Sequence, residues 1–141
     1  MTTTALEDTK ILRLPLVPQQ LYFAAGLPPF VDARTYRLHV EEDAPAFLRM
    51  ECIDTELAFV LIDPFAVSGQ YRPEFSDKDI EELELQSADK PLVLAIVNLS
   101  RGVREATVNL AGPLLINPKN GKGKQVVLVN AAQYSVRQSL T

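Results

Sequence analysis

A chain of 141 residues, 47% hydrophobic and 23% charged, is long enough for one domain with a real apolar core and needs no staples to hold it. Fourteen basic against eighteen acidic side chains leave a formal charge of −4, which argues against nucleic acid or an anionic membrane as the main partner, since both require a basic face. The single cysteine, Cys52, and single histidine, His39, exclude an intramolecular disulfide framework and a Cys-based zinc site within one chain.

Residues 1–9 are polar and small and read as a loose tail, with residues 10–141 as a single domain. Acids stand where a secretory signal would carry basic residues, and no apolar stretch follows. The longest aliphatic or aromatic runs, Leu57–Ile62 and Leu92–Val97, are far short of the roughly 20 residues a bilayer span needs, so no membrane partner is expected and the cytoplasm is the expected location. Ile11–Val17 and Leu21–Phe23 are short apolar pieces broken by Pro15 and Pro18, which belong at strand edges because proline cannot donate to a ladder. Gly26–Phe30 reads as a stiff turn. Tyr36–Val40 alternates, with Tyr36, Leu38 and Val40 on one side and Arg37 and His39 on the other, and predicts a half-buried strand. The polar turn Glu41–Pro45 leads to its hairpin partner, Ala46–Met50. Leu57–Ile62 is apolar on both faces and predicts a central strand that ends at Asp63-Pro64.

Ser76 is placed to cap a helix, and Asp79 to reach back as in a capping box. Ile80 and Leu83 are spaced for one apolar face, and the pattern predicts one short helix over residues 77–85. Leu92–Leu99 is the second strongly apolar strand, closed by the turn Ser100–Gly102. Glu105–Leu110 alternates with Ala106, Val108 and Leu110 inward. Pro113–Asn117 follows, then a turn around Asn120-Gly121, then a last strand over Gln125–Asn130. About eight short strands with one helix lack the crossovers a parallel sheet requires. The prediction is an all-β, mainly antiparallel, small barrel-like domain.

Chemistry-bearing motifs are sparse. There is no Gly-x-Ser-x-Gly elbow. Cys52 lies in a strand-like run, where a free cysteine behaves as a small hydrophobe, and His39 falls on the polar side of its strand. Glu41-Glu42-Asp43 reads as a solvated hairpin turn, because three adjacent acids do not converge on one cation unaided. Asp63 reads as the organiser of the turn into Pro64-Phe65. Lys119–Lys124 combines two glycines with three ammonium groups, but it lacks the Walker spacing and the following helix. It reads as a charged turn, with a phosphate loop for a flavin or nucleotide as the alternative.

The distribution of charge says more than its total. Residues 1–100 carry a net −9 and residues 101–141 a net +5. Within 74–89, Glu74, Asp77, Asp79, Glu81, Glu82, Glu84 and Asp89 face Lys78 alone, a net −6. One reading is a solvated helix whose N-terminus favours acids. The other is a docking face for a basic protein, which speeds encounter and disfavours wrong partners.

Taken in order, Gly26–Phe30, Glu56–Phe65, the acidic Ser76–Leu85 segment, Leu92–Val97, Val108–Asn117, Gly123–Leu128 and Tyr134–Arg137 resemble the flagellar assembly factor FliW family. The chain departs from the family pattern at Pro29, Gly112, Pro118 and Gly121, all in turns. The resemblance implies a small β-barrel-like fold and a protein-binding regulator that is not an enzyme and holds no cofactor. It implies two partners: flagellin, and the RNA-binding translational repressor CsrA, whose sequestration lets flagellin translation resume. With that resemblance in hand, Glu74, Asp77, Glu81, Glu82 and Glu84 become the expected face for the basic repressor. The Pro64-Phe65 turn and the proline-broken N-terminal pieces become the expected apolar surface for the amphipathic ends of flagellin.

Overall fold

Leu92–Val97 has no polar face to offer water, so it can be stable only with protein on both sides. The computed structural model describes residues 20–41, 43–44 and 46–140, and it puts this segment at the centre of the sheet. The expected tail 1–9, the Ile11–Val17 piece, Glu42, Pro45 and Thr141 lie outside the described residues.

In chain order the elements are β1 (Gln20–Tyr22), β2 (Thr35–Val40), β3 (Phe47–Cys52), β4 (Ala58–Ile62), α1 (Pro64–Val67), α2 (Asp77–Glu82), β5 (Leu92–Asn98), β6 (Thr107–Val108), β7 (Leu114–Ile116), β8 (Gly123–Gln125) and β9 (Gln138–Ser139). Among the described residues the nine strands form one sheet, in the order β1-β2-β3-β4-β5-β6-β9 with the β7–β8 hairpin joined to β5. Every ladder is antiparallel. One edge of β5 pairs with β4, while the other is shared by β7 at Leu92–Leu94 and β6 at Val97–Asn98. The sheet curls until β1 meets the β7–β8 turn at one parallel bridge, Tyr22 to Lys122, with the Tyr22 amide donating to Gly121 O at 2.9 Å. It is barrel-like in curvature but is not closed by a ladder.

Alternation along the strands feeds two cores. Leu92 and Leu94 of β5 join Leu21, Phe23, Tyr36, Met50, Leu61, Leu114 and Ile116 inside the curl. Val93, Ala95 and Val97 point the other way, into a second core closed by Tyr71, Phe75, Ile80, Leu83, Leu85, Val126 and Leu128. Each such aliphatic side chain contributes about 1.5–3 kcal/mol by leaving water. Gly123 is required where it stands: a Cβ there would lie 2.8 Å from the Phe23 ring that fills the curl.

Several elements differ from the sequence reading. The Tyr36–Val40 and 46–50 hairpin forms as expected, with Leu38 opposite Met50. The 57–62 strand is central, but Ala58 is exposed and Phe59 and Val60 are only half-buried. The helix predicted over 77–85 spans six residues, ending where Glu84 turns left-handed at φ +58°. Its end is a Schellman closure: the Glu84 amide donates to Glu81 O and the Leu85 amide to Ile80 O, both at 3.0 Å, while Ile80 and Leu85 share one core. A second, one-turn helix, α1, was not expected. The strand over Glu105–Leu110 shrinks to Thr107–Val108 after a 3₁₀ turn, though Ala106, Val108 and Leu110 are all buried as read.

The strand expected over Gln125–Asn130 also shortens. Laddering stops at Gln125, because the next amides are taken elsewhere: Val126 donates to Pro113 O, Leu128 to Ala111 O and Val129 to Glu74 O. The run looks uniformly apolar, yet it alternates in space. Val126 and Leu128 are buried, while Val127 and Val129 are 78% and 64% exposed.

Candidate protein-docking face

The acidic segment starts with a well-formed cap. Ser76 Oγ accepts from the Asp79 amide at 3.1 Å. Asp79 does not complete a capping box: its carboxylate is buried and faces β8, where Lys124 Nζ reaches it at 2.6 Å and also reaches Glu82 at 2.5 Å. Burial works against the charge of Lys124, but its bonds to Asp79 and Glu82 outweigh this and hold its pKa above the ordinary lysine value. Lys122 pairs with Glu84, and Lys119 reaches the Asp89 carboxylate, which is 2% exposed, at 2.6 Å. That ion pair, with a hydrogen bond from the Gln86 amide to Asp89 Oδ2, holds the Asp89 carboxyl below the usual aspartate range despite its burial.

The turn carrying these lysines also closes the helix end. Asn117 Nδ2 donates to Leu83 O at 2.9 Å and to Glu84 O at 3.3 Å, while Asn117 Oδ1 accepts from the Lys119 amide. A helix C-terminus is a concentration of carbonyl oxygens and partial negative charge, so a lysine-bearing turn is a favourable neighbour. The motif that raised the phosphate-loop alternative is thus built into the fold as a clamp, with all three ammonium groups held by carboxylates.

The 74–89 segment, net −6, together with the three lysines paired onto it from the turn, Lys119, Lys122 and Lys124, carries three negative charges. Asp79 and Asp89 are buried in these pairs, and Glu82 and Glu84 are committed to them. Asp77 and Glu81 are exposed and Glu74 is half-buried. Glu74 sits where the 72–75 segment is stitched to the 126–130 run: its amide donates to Asn130 Oδ1 at 2.9 Å, and Asn130 Nδ2 donates to Arg72 O at 2.8 Å. The exposed Val127 and Val129 run beside it.

At the Pro64-Phe65 turn, Asp63 Oδ1 accepts from the Phe65 amide at 2.8 Å and caps α1, with proline at the first helical position. Burial pushes the Asp63 carboxyl up, against the two amides that hold it down. Pro64 is buried, and Phe65 packs on Tyr71 with ring centroids 5.4 Å apart, so this turn offers little apolar surface. Cys52 is buried. His39 lies on the polar side of β2, its Nε2 2.8 Å from Glu51.

A feature that motif reading missed is a cleft of about 440 Å³ lined by Asn98, Arg101, Arg104, Glu105, Thr107 and Arg137. The only trace of it in the sequence is the +5 balance of residues 101–141.

No helix among the described residues is long and apolar enough to cross a membrane. The family model described as FliW protein matches residues 3–140. The flagellar assembly factor FliW of Desulfitobacterium hafniense (strain Y51) is 31% identical over 137 residues, covering 96% of this chain and 90% of that one. The one from Thermosipho africanus is 33% identical over 121 residues, covering 84% and 83%. A crystal structure of the flagellar assembly factor FliW superimposes with a TM-score of 0.78 at 26% identity, covering 93% of this chain and 90% of that one. With the fold matched along nearly its whole length and the family model spanning both cores, the chain belongs to the FliW family of flagellar assembly factors.

Proposed function

We infer that this protein serves flagellum assembly as a non-enzymatic regulator in the cytoplasm, binding flagellin and, in alternation with it, a CsrA-type RNA-binding repressor. The family match over residues 3–140 carries the reading. Physical support comes from the face around α2. It remains three charges negative after its internal pairs are made, and such a surface attracts a basic protein from a distance and fixes its orientation. Val127 and Val129 supply exposed apolar surface beside Glu74, which suits an amphipathic helix. Two ligands that exclude each other do so at equal free-energy cost in both directions, so export of flagellin would release binding capacity for the repressor.

The test is a calorimetric titration of the purified protein with flagellin and with CsrA, alone and in competition. Binding of both, with each weakening the other, supports the proposal; binding of neither ends it. Reversing charge at Glu74 and Glu81, which leaves the internally paired Glu82 and Glu84 in place, should weaken the repressor roughly tenfold at low salt and flatten its salt dependence. Unchanged affinity would move the docking site elsewhere on the molecule.

A further inference from the structure

Residues 101–141 contain six basic side chains, and the fold uses them in two ways. The three lysines are neutralised in the clamp on α2. The three arginines, Arg101, Arg104 and Arg137, are brought to one cleft from three places: the turn after β5, the 3₁₀ turn before β6, and the residue before β9. The walls are held by the sheet itself, with Asn98 opposite Thr107 on the β5–β6 ladder and Thr107 opposite Ser139 on the β6–β9 ladder. Arg101, Arg104 and Arg137 are exposed, and none makes an ion pair with a described residue. Acids outnumber bases in this chain, yet among the described residues Glu105 is the one acid that lines the cleft. Gathering three like charges where a single acid answers them costs free energy that a bound anion would recover.

We propose that this cleft binds a small phosphate-bearing anion, gripped by the guanidinium groups of Arg101, Arg104 and Arg137. The charge fits: three guanidiniums against the Glu105 carboxylate leave two positive charges, and a phosphate monoester carries about −1.5 to −2 at neutral pH. The geometry of the donors fits too, because the planar guanidinium fork matches phosphate oxygens two at a time. Ser100, Thr107 and Asn98 add neutral polar groups along the same wall. At about 440 Å³ the cleft has the size of a small-molecule site. Among the described residues no aromatic side chain lines it, so none of them stacks a nucleobase; recognition rests on the phosphate, and an oligonucleotide is disfavoured.

Titration of the full chain with inorganic pyrophosphate, followed by calorimetry and by backbone amide NMR shifts, tests this directly. Saturable binding with a Kd below about 1 mM is expected, with shifts confined to residues 98–107 and 137–139. Arg104→Gln and Arg137→Gln should each weaken it roughly tenfold, and Arg137→Lys should recover only part of that loss, since lysine keeps the charge but not the fork. Thermal melts confirm that the variants are folded, which is expected because these arginines are exposed and make no ion pair with a described residue. Citrate, a carboxylate of comparable charge, should bind more weakly. Binding too weak to saturate at about 10 mM, shifts centred on Lys119–Lys124, indifference to the arginine substitutions, or citrate equal to pyrophosphate would each overturn the assignment. The last result would point to acidic side chains of a protein partner.

Discussion

Replacing Tyr36 or Tyr71 by phenylalanine deletes one oxygen from a ring that is 0% exposed in both cases, yet the two substitutions should move stability in opposite directions. The Tyr71 hydroxyl donates to Leu110 O at 2.7 Å and so ties the connection after α1 to the end of the β6 segment. The ring itself is held by Phe65 and by Tyr134, whose centroid lies 4.8 Å away, so phenylalanine keeps the packing and loses only the bond. A buried carbonyl left without its donor costs about 1–2 kcal/mol. Tyr36 packs edge-on against Phe23 inside the curl, with centroids 5.5 Å apart, and its buried hydroxyl has no partner among the described residues. Burial, with the neighbouring Cys52, pushes its pKa up to about 12. Removing an unsatisfied hydroxyl is neutral or stabilising by up to about 1 kcal/mol. With an unfolding entropy of about 2.1 cal/mol/K per residue, a chain of 141 residues shifts its Tm by about 3 °C per kcal/mol. Differential scanning calorimetry at neutral pH should therefore show Tyr71→Phe falling by about 3–6 °C, and Tyr36→Phe unchanged or raised by up to about 3 °C. A fall of equal size in both variants would refute the reasoning, because it would mean that the two hydroxyls are equally well satisfied.

The clamp on α2 should be graded by burial. Lys124→Met strands the buried Asp79 carboxylate and should cost roughly 2–3 kcal/mol in urea unfolding, less than a fully enclosed pair because Lys124 remains 29% exposed. Lys122→Met breaks a pair in which both partners are exposed and should cost under about 1 kcal/mol. For Asp89 the sign follows from its lowered pKa: the folded state binds the proton less readily than the unfolded chain, so its contribution is present above the ordinary aspartate range and is lost as pH falls through the folded value. Asp89→Asn should lower stability at pH 7 and flatten its decline under acid, as read by thermal melts across a pH series. Gly26 has φ +67° and a built Cβ would lie 2.4 Å from Phe30 O, so Gly26→Ala should cost more than about 2 kcal/mol. Gly69→Ala, with nothing within 4 Å and no left-handed backbone, should change the melting temperature little.

What could be read from the chain alone was whatever depends on neighbours in sequence. Alternation in Tyr36–Val40 placed that strand's faces and its hairpin partner, and Ser76 announced the start of α2. Apolarity on both faces marked Leu57–Ile62 as central, although Ala58 is exposed there; uniform apolarity rightly marked Leu92–Val97 as a strand, but it overran at Gln125–Asn130. There two valines face water, because the amides between them bond to loops rather than to a strand. Periodicity reports which residues are apolar; it does not report whether a partner strand exists to use them.

The candidate sites were harder still, because each depends on contacts across long stretches of chain. The opposed charges of 74–89 and 101–141 were visible, but only the topology decides that Lys119, Lys122 and Lys124 close on α2 while Arg101, Arg104 and Arg137 gather at the far end of β5. That division follows the chemistry of the two cations. Lysine, a compact charge on a flexible stem, can meet carboxylates from a tight turn and from the strand that follows it. Arginine keeps its charge under any condition the protein meets, and it presents a rigid fork that suits a ligand arriving from solution. The acidic face and the arginine cleft are thus two ends of one segregation of charge, and a phosphate bound at the second would change the net charge that a basic partner meets at the first. Screening confines such an effect to distances of about 10 Å at ordinary ionic strength, so any influence of the bound anion on that partner should fade as salt is raised.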